Sequence, residues 1–205
     1  MLDEREIERI KKEVDSYRNI DILSYVDEMM PWMRPIQHTI IRVSKLLEES
    51  NITYALISDY AVNFYGIPYW SRDIRFAVRR ISFQELTAIL TESHFEKLLE
   101  ETNCLTILDS QMNNFLVFSS EPEPLRWDDE MVKRLSKTII NTRILAPEDY
   151  VIILLKRGGL REIDLALKIL YKNLENIDRG YLYLRARSIN VEEELRELMD
   201  KLANV

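Results

Sequence analysis

The chain has 205 residues, enough for one compact domain with helical additions or for two small ones. Its 46% hydrophobic and 31% charged residues exclude a disordered chain, and a net charge of -7 argues against a nucleic-acid surface spread over the molecule. The single cysteine, Cys104, excludes an internal disulfide and a cysteine-based zinc cluster. Flanked by Leu105 and Ile107, it is expected as a buried, inert thiol. Residues 2–17 predict a charged helix with Ile7, Ile10 and Val14 as its narrow apolar stripe. An apolar segment over 20–33 contains Met29, Met30, Trp32 and Met33, expected in the core or at a subunit interface. Pro35 suits the first turn of a helix over 35–50, whose face carries Ile36, Ile40, Val43, Leu46 and Leu47.

Residues 54–57 predict a strand entering a polar turn at Ser58 and Asp59. A short helical segment follows and is stopped by Gly66 and Pro68. A second strand over 72–78 places Asp73 and Arg75 on one face and Ile74, Phe76 and Val78 on the other. Ser82 and Glu85 form a capping box for a helix carrying Phe83, Leu86, Ile89 and Leu90. Residues 95–99 lead to a short strand around 105–108, and a strand over 115–118 closes the sheet. The Glu121-Pro122-Glu123-Pro124 loop precedes a helix over 130–137 that starts at Asp128. The remainder reads as helices over 147–156, 160–174, 179–187 and 191–203. The two histidines, His38 and His94, fall in helical contexts far apart, so a histidine-based metal site is not expected.

The run from Tyr54 through Ser58, Asp59, Tyr60, Ala61, Gly66, Pro68, Ser71, Asp73 and Arg75 resembles the signature of the nucleotidyltransferase superfamily. These proteins share the minimal palm of DNA polymerase beta, and the similarity is closest to minimal and abortive-infection-type members. The resemblance extends through Pro147-Glu148-Asp149, Lys156, Arg161 and Asp164, covering about 46–170. It implies an α/β (α+β) palm with a mixed central sheet. It also implies an N-terminal helical extension (1–50), a core (51–120) and a C-terminal helical region (121–205).

In the family, a glycine pair stands where this chain has Ser58 and Asp59. Asp73 matches the first catalytic aspartate, whereas Arg75 occupies the position of the second. The later strand that supplies a third carboxylate has Asn113 and Asn114 here, with Asp109 just upstream. Paired carboxylates hold divalent metals that bridge nucleotide phosphates, and a guanidinium reverses the charge at one of those positions. Ser58, Asp59, Ser71 and Lys156 are the nucleotide-binding candidates that the resemblance implies. Asp73 is a relic catalytic residue, and it is the metal ligand if there is one.

The function expected is that of a catalytically impaired relative, acting as a nucleotide- or phosphate-binding or interaction module. The alternative is an active, Mg2+-dependent nucleotidyltransferase of a toxin–antitoxin or abortive-infection system, with Asp59 or Asp109 completing the metal site. Expected partners are a nucleotide and a protein or second copy. The charged N-terminus and the lack of an apolar run of roughly 20 residues point to a cytoplasmic protein without membrane contact. Many Glu, Arg and Ile with few Gln point to a thermophilic source.

Overall fold

A computed structural model of the chain describes residues 4–204. The elements in order are α1 (Glu4–Ser16), α2 (Ile22–Met29), α3 (Arg34–Glu49), β1 (Thr53–Leu56), β2 (Arg75–Arg79), α4 (Phe83–Thr91), β3 (Phe95–Glu100), β4 (Cys104–Asp109), β5 (Asn114–Ser119), α5 (Asp129–Arg134), β6 (Ser136–Lys137), β7 (Arg143–Ile144), α6 (Pro147–Arg157), α7 (Leu160–Asn173), α8 (Arg179–Ser188) and α9 (Glu192–Asn204). Short 3-10 turns occupy Pro31–Met33 and Asp59–Tyr65. Residues 2 and 3 of the first predicted helix lie outside the described residues. Two compact units interleave along the chain: residues 26–61 with 69–145, and residues 1–25 with 62–68 and 146–205.

The first of these units holds a seven-stranded sheet in the order β3-β4-β5-β2-β1-β7-β6. Antiparallel pairs join β1 to β2, β3 to β4, β4 to β5 and β6 to β7, while β2–β5 and β1–β7 are parallel. The sheet is therefore mixed, as the family resemblance implies. One face is apolar by period-two alternation: Ile74 just before β2, Phe76 and Val78 on it, Leu105 and Ile107 on β4, Leu116 and Phe118 on β5 are all buried. Phe76 stacks on Phe118 with centroids 5.6 Å apart. Helix α3 covers this face through buried Ile36, Ile40, Val43 and Leu47, and α4 contributes Leu86 and Leu90.

Several expectations are corrected here. Strand β2 begins at Arg75, so Asp73 precedes it. Residues 95–100 are an edge strand of the sheet, whose Phe-Glu-Lys-Leu-Leu-Glu run lacks alternation because only Phe95 is buried. Helix α5 ends at Arg134 because Lys137 is drawn into β6. His94 lies between α4 and β3 with φ of 66°, a left-handed turn residue outside any helix. Cys104 is half-exposed on β4, beside Glu101. Of the methionine-rich segment, Met33 is buried while Met29 and Trp32 are exposed.

In the helical unit, α1 buries Ile7, Ile10 and Val14. Its outer face reaches α7 through Lys168, which meets Glu13 at 2.7 Å and Asp164 at 3.0 Å. Burial alone would lower the Lys168 ammonium, but the two carboxylates override it and raise it. Helix α6 is buried from Glu148 to Leu155. Its first turn is locked by Asp149, which accepts bonds from the Tyr181 hydroxyl at 2.9 and 3.0 Å and meets Arg185 at 2.8 Å. Glu148 accepts the backbone N–H of Asp178 at 2.8 Å. The Pro-Glu-Asp run is thus a structural fastener. No helix among the described residues is long and apolar enough to cross a membrane.

Candidate functional site

Strand β1 delivers the polar turn to the end of the sheet where β2 begins. Leu56 faces Phe76, and the N–H of Ile57 donates to the carbonyl of Arg75 at 2.8 Å, so Ser58 and Asp59 follow immediately. Neither residue has a left-handed backbone, so this turn needs no glycine. Ser58 is buried and its hydroxyl has no hydrogen-bond partner; with no solvent access, it meets a phosphate only if the turn moves. Asp59 is buried at the start of the 3-10 turn.

Ser71 is buried, and its hydroxyl accepts the N–H of Asp73 at 3.1 Å, which shapes the approach to β2. Arg72 stands over the Trp70 ring at 5.7 Å. The Nε of Arg75 lies 3.0 and 2.9 Å from the two carboxylate oxygens of Asp73. Arg75 thus forms an ion pair with Asp73. Its side chains are 51% and 42% exposed. The Nη groups of Arg75 make no hydrogen bond among the described residues.

Register decides what else shares this face. Arg75 pairs laterally with Val117 in the parallel β2–β5 ladder, so Val117 and Phe115 point to the same side. Phe115 is 61% exposed there. Asn114 has the parity of Phe118 and points the other way, donating to Pro35 O at 3.0 Å and Thr39 Oγ1 at 2.9 Å on α3. It does not join Asp73 and Arg75, although the family resemblance puts the third metal carboxylate on this strand. Asp109, at the end of β4, is buried on that same covered side. It accepts from Thr39 at 2.7 Å and Arg42 at 2.6 Å. Burial alone would raise this carboxyl, but these bonds and the Met112 N–H hold it below its usual range. Asp109 is a buried counter-ion for Arg42 and supplies nothing to Asp73.

On the open face, Cys104 pairs with Ser119. Desolvation and neighbouring Glu101 push its thiol up, against the pull of Arg75, so it stays protonated and is a poor nucleophile. Lys156 belongs to the helical unit, where it is exposed near the end of α6 and lines a cavity. Sequence reasoning missed Phe115 because its face follows from the β2–β5 register, which no local pattern encodes.

The Mg2+ that the family resemblance implies does not fit these residues. One carboxylate is shared with a guanidinium, and the adjacent strand offers Phe115 and Val117 where oxygen donors are needed. Among the described residues no group of three or more His, Cys, Asp or Glu could hold a metal.

No protein-family model matches the sequence, and no curated protein matches it in a sequence search. Solved structures do match in fold. The antibiotic-resistance factor ANT(2'')-Ia aligns with a TM-score of 0.53 and 11% identity, over 82% of this chain and 97% of its own. An antigenic nucleotidyltransferase-like protein from Paracoccidioides brasiliensis aligns with a TM-score of 0.53 and 15% identity, over 83% of this chain and 93% of its own. With a mixed sheet whose strand order brings β1, β2 and β5 together, the chain has the nucleotidyltransferase-like fold.

Proposed function

We propose that this protein is a catalytically impaired member of the nucleotidyltransferase fold that binds a nucleotide or phosphate through Arg75 without a metal ion. The observation that carries this is the half-exposed Arg75–Asp73 pair, with Nη groups of Arg75 that make no hydrogen bond among the described residues, at the two positions where the family resemblance puts metal carboxylates. An exposed pair of this kind contributes about 0–1 kcal/mol, so a phosphate oxyanion displaces Asp73 at little cost. The exposed ring of Phe115 on the same face gives a base a surface to stack on. A guanidinium supplies charge for binding but cannot activate an attacking hydroxyl as a bound metal does. Nucleotide transfer should therefore be lost while anion binding persists.

The test is incubation with labelled nucleoside triphosphates, Mg2+ or Mn2+, and protein or RNA acceptors. No transfer above the protein-free blank is expected. Transfer that disappears in Asp73→Ala would establish an active enzyme and overturn the proposal.

A further inference from the structure

The helical unit contains a cavity of about 320 Å³ between α1, α6, α7 and α9. Its floor is apolar and buried, built from Ile7, Leu155, Leu167, Val191 and Leu198. That volume is at the lower end of the roughly 300–1,000 Å³ typical of ligand cavities, and an apolar floor with a few polar groups is their usual lining. Four charged residues line it: Lys156 on α6, and Glu194, Glu197 and Lys201 on α9. Lys201 and Glu197 neutralise each other at 3.0 Å. Lys156 and Glu194 are exposed and make no ion pair among the described residues.

The lining therefore presents one uncommitted cation and one uncommitted anion, on different helices, above an apolar floor. A monoanionic amphiphile would face the repulsion of Glu194, and a monocationic one that of Lys156. A dipolar headgroup on an apolar body complements both. We propose that this cavity binds a free apolar α-amino acid, its carboxylate toward Lys156, its ammonium toward Glu194 and its side chain on the floor. Charge pairs at such a site act mainly through specificity, since each lone charge on a wrong ligand leaves one partner unmatched. This site is independent of the Arg75 site.

Calorimetric titration of the full chain with L-phenylalanine and L-leucine tests the proposal. Saturable one-to-one binding of at least one is expected. Affinity should fall about tenfold or more in Lys156→Ala and in Glu194→Ala, and equally for 3-phenylpropionate and phenethylamine, each of which lacks one charge. Both substituted residues are exposed, and an unchanged melting temperature confirms that the variants fold. Absence of saturable binding overturns the inference. Binding of either single-charge analogue as tight as that of the amino acid, or affinity indifferent to both substitutions, also overturns it.

Discussion

Two of the three aspartates that the sequence offered as metal ligands have different surroundings. Asp73 is half-exposed in an ion pair with Arg75, whereas Asp109 is fully buried with four hydrogen-bond donors around it. Asp109→Asn removes the charge that balances Arg42, whose guanidinium also donates to Ser93 O and stacks over Phe95. Breaking one side of a buried pair costs about 3–5 kcal/mol, discounted here to about 3 because Arg42 is partly exposed. The folded-state pKa of Asp109 is depressed, so its stabilisation is complete above the unfolded carboxyl pKa of about 3.9 and fades as pH falls through the lower folded value. Urea unfolding should thus show the full wild-type advantage at pH 7 and a shrinking one below about pH 4. An Asp109→Asn penalty that is constant across that range would show that the charge plays no part.

The short 3-10 turn between β1 and β2 ends at a glycine for two separable reasons. Gly66 has φ of +87°, and a Cβ there would lie 2.8 Å from Cε of Lys172. The Lys172 stem can move, so backbone conformation dominates, and Gly66→Ala is expected to cost about 1–2 kcal/mol. Denaturant midpoints with unchanged m-values would show this; a neutral result would mean that residue 66 takes up an ordinary φ. Gly66 and Pro68 were legible as a stop because glycine and proline punctuate the chain locally. The capping box at Ser82 was equally legible, and both of its bonds form, Glu85 N to Ser82 Oγ at 3.2 Å and Ser82 N to Glu85 Oε2 at 3.0 Å. Strands β6 and β7 were not, since two residues each carry no periodicity and exist only through pairing. The face of Asn114 depended on the β2–β5 register, which joins strands far apart in sequence.

At the level of the fold, the sequence carried more information about architecture than about chemistry. The family resemblance implied the mixed sheet that the structure has, and solved structures only 11–15% identical to this chain share its fold. The site was only partly legible. Arg75 beside Asp73 follows from two residues on one face, but the Nη groups without a hydrogen bond among the described residues, the sealed Ser58 hydroxyl and the exposed Phe115 ring emerge only once strands pair. The cavity beside Lys156 joins helices from both ends of the chain and leaves no local motif.

Binding that depends on Arg75 and not on a metal is the central expectation, and calorimetric titration of ATP into the protein tests it most directly. Affinity should be the same with excess EDTA as with Mg2+, and should fall about tenfold or more in Arg75→Ala. ATP binding that requires Mg2+ and is abolished by Asp73→Ala would contradict it.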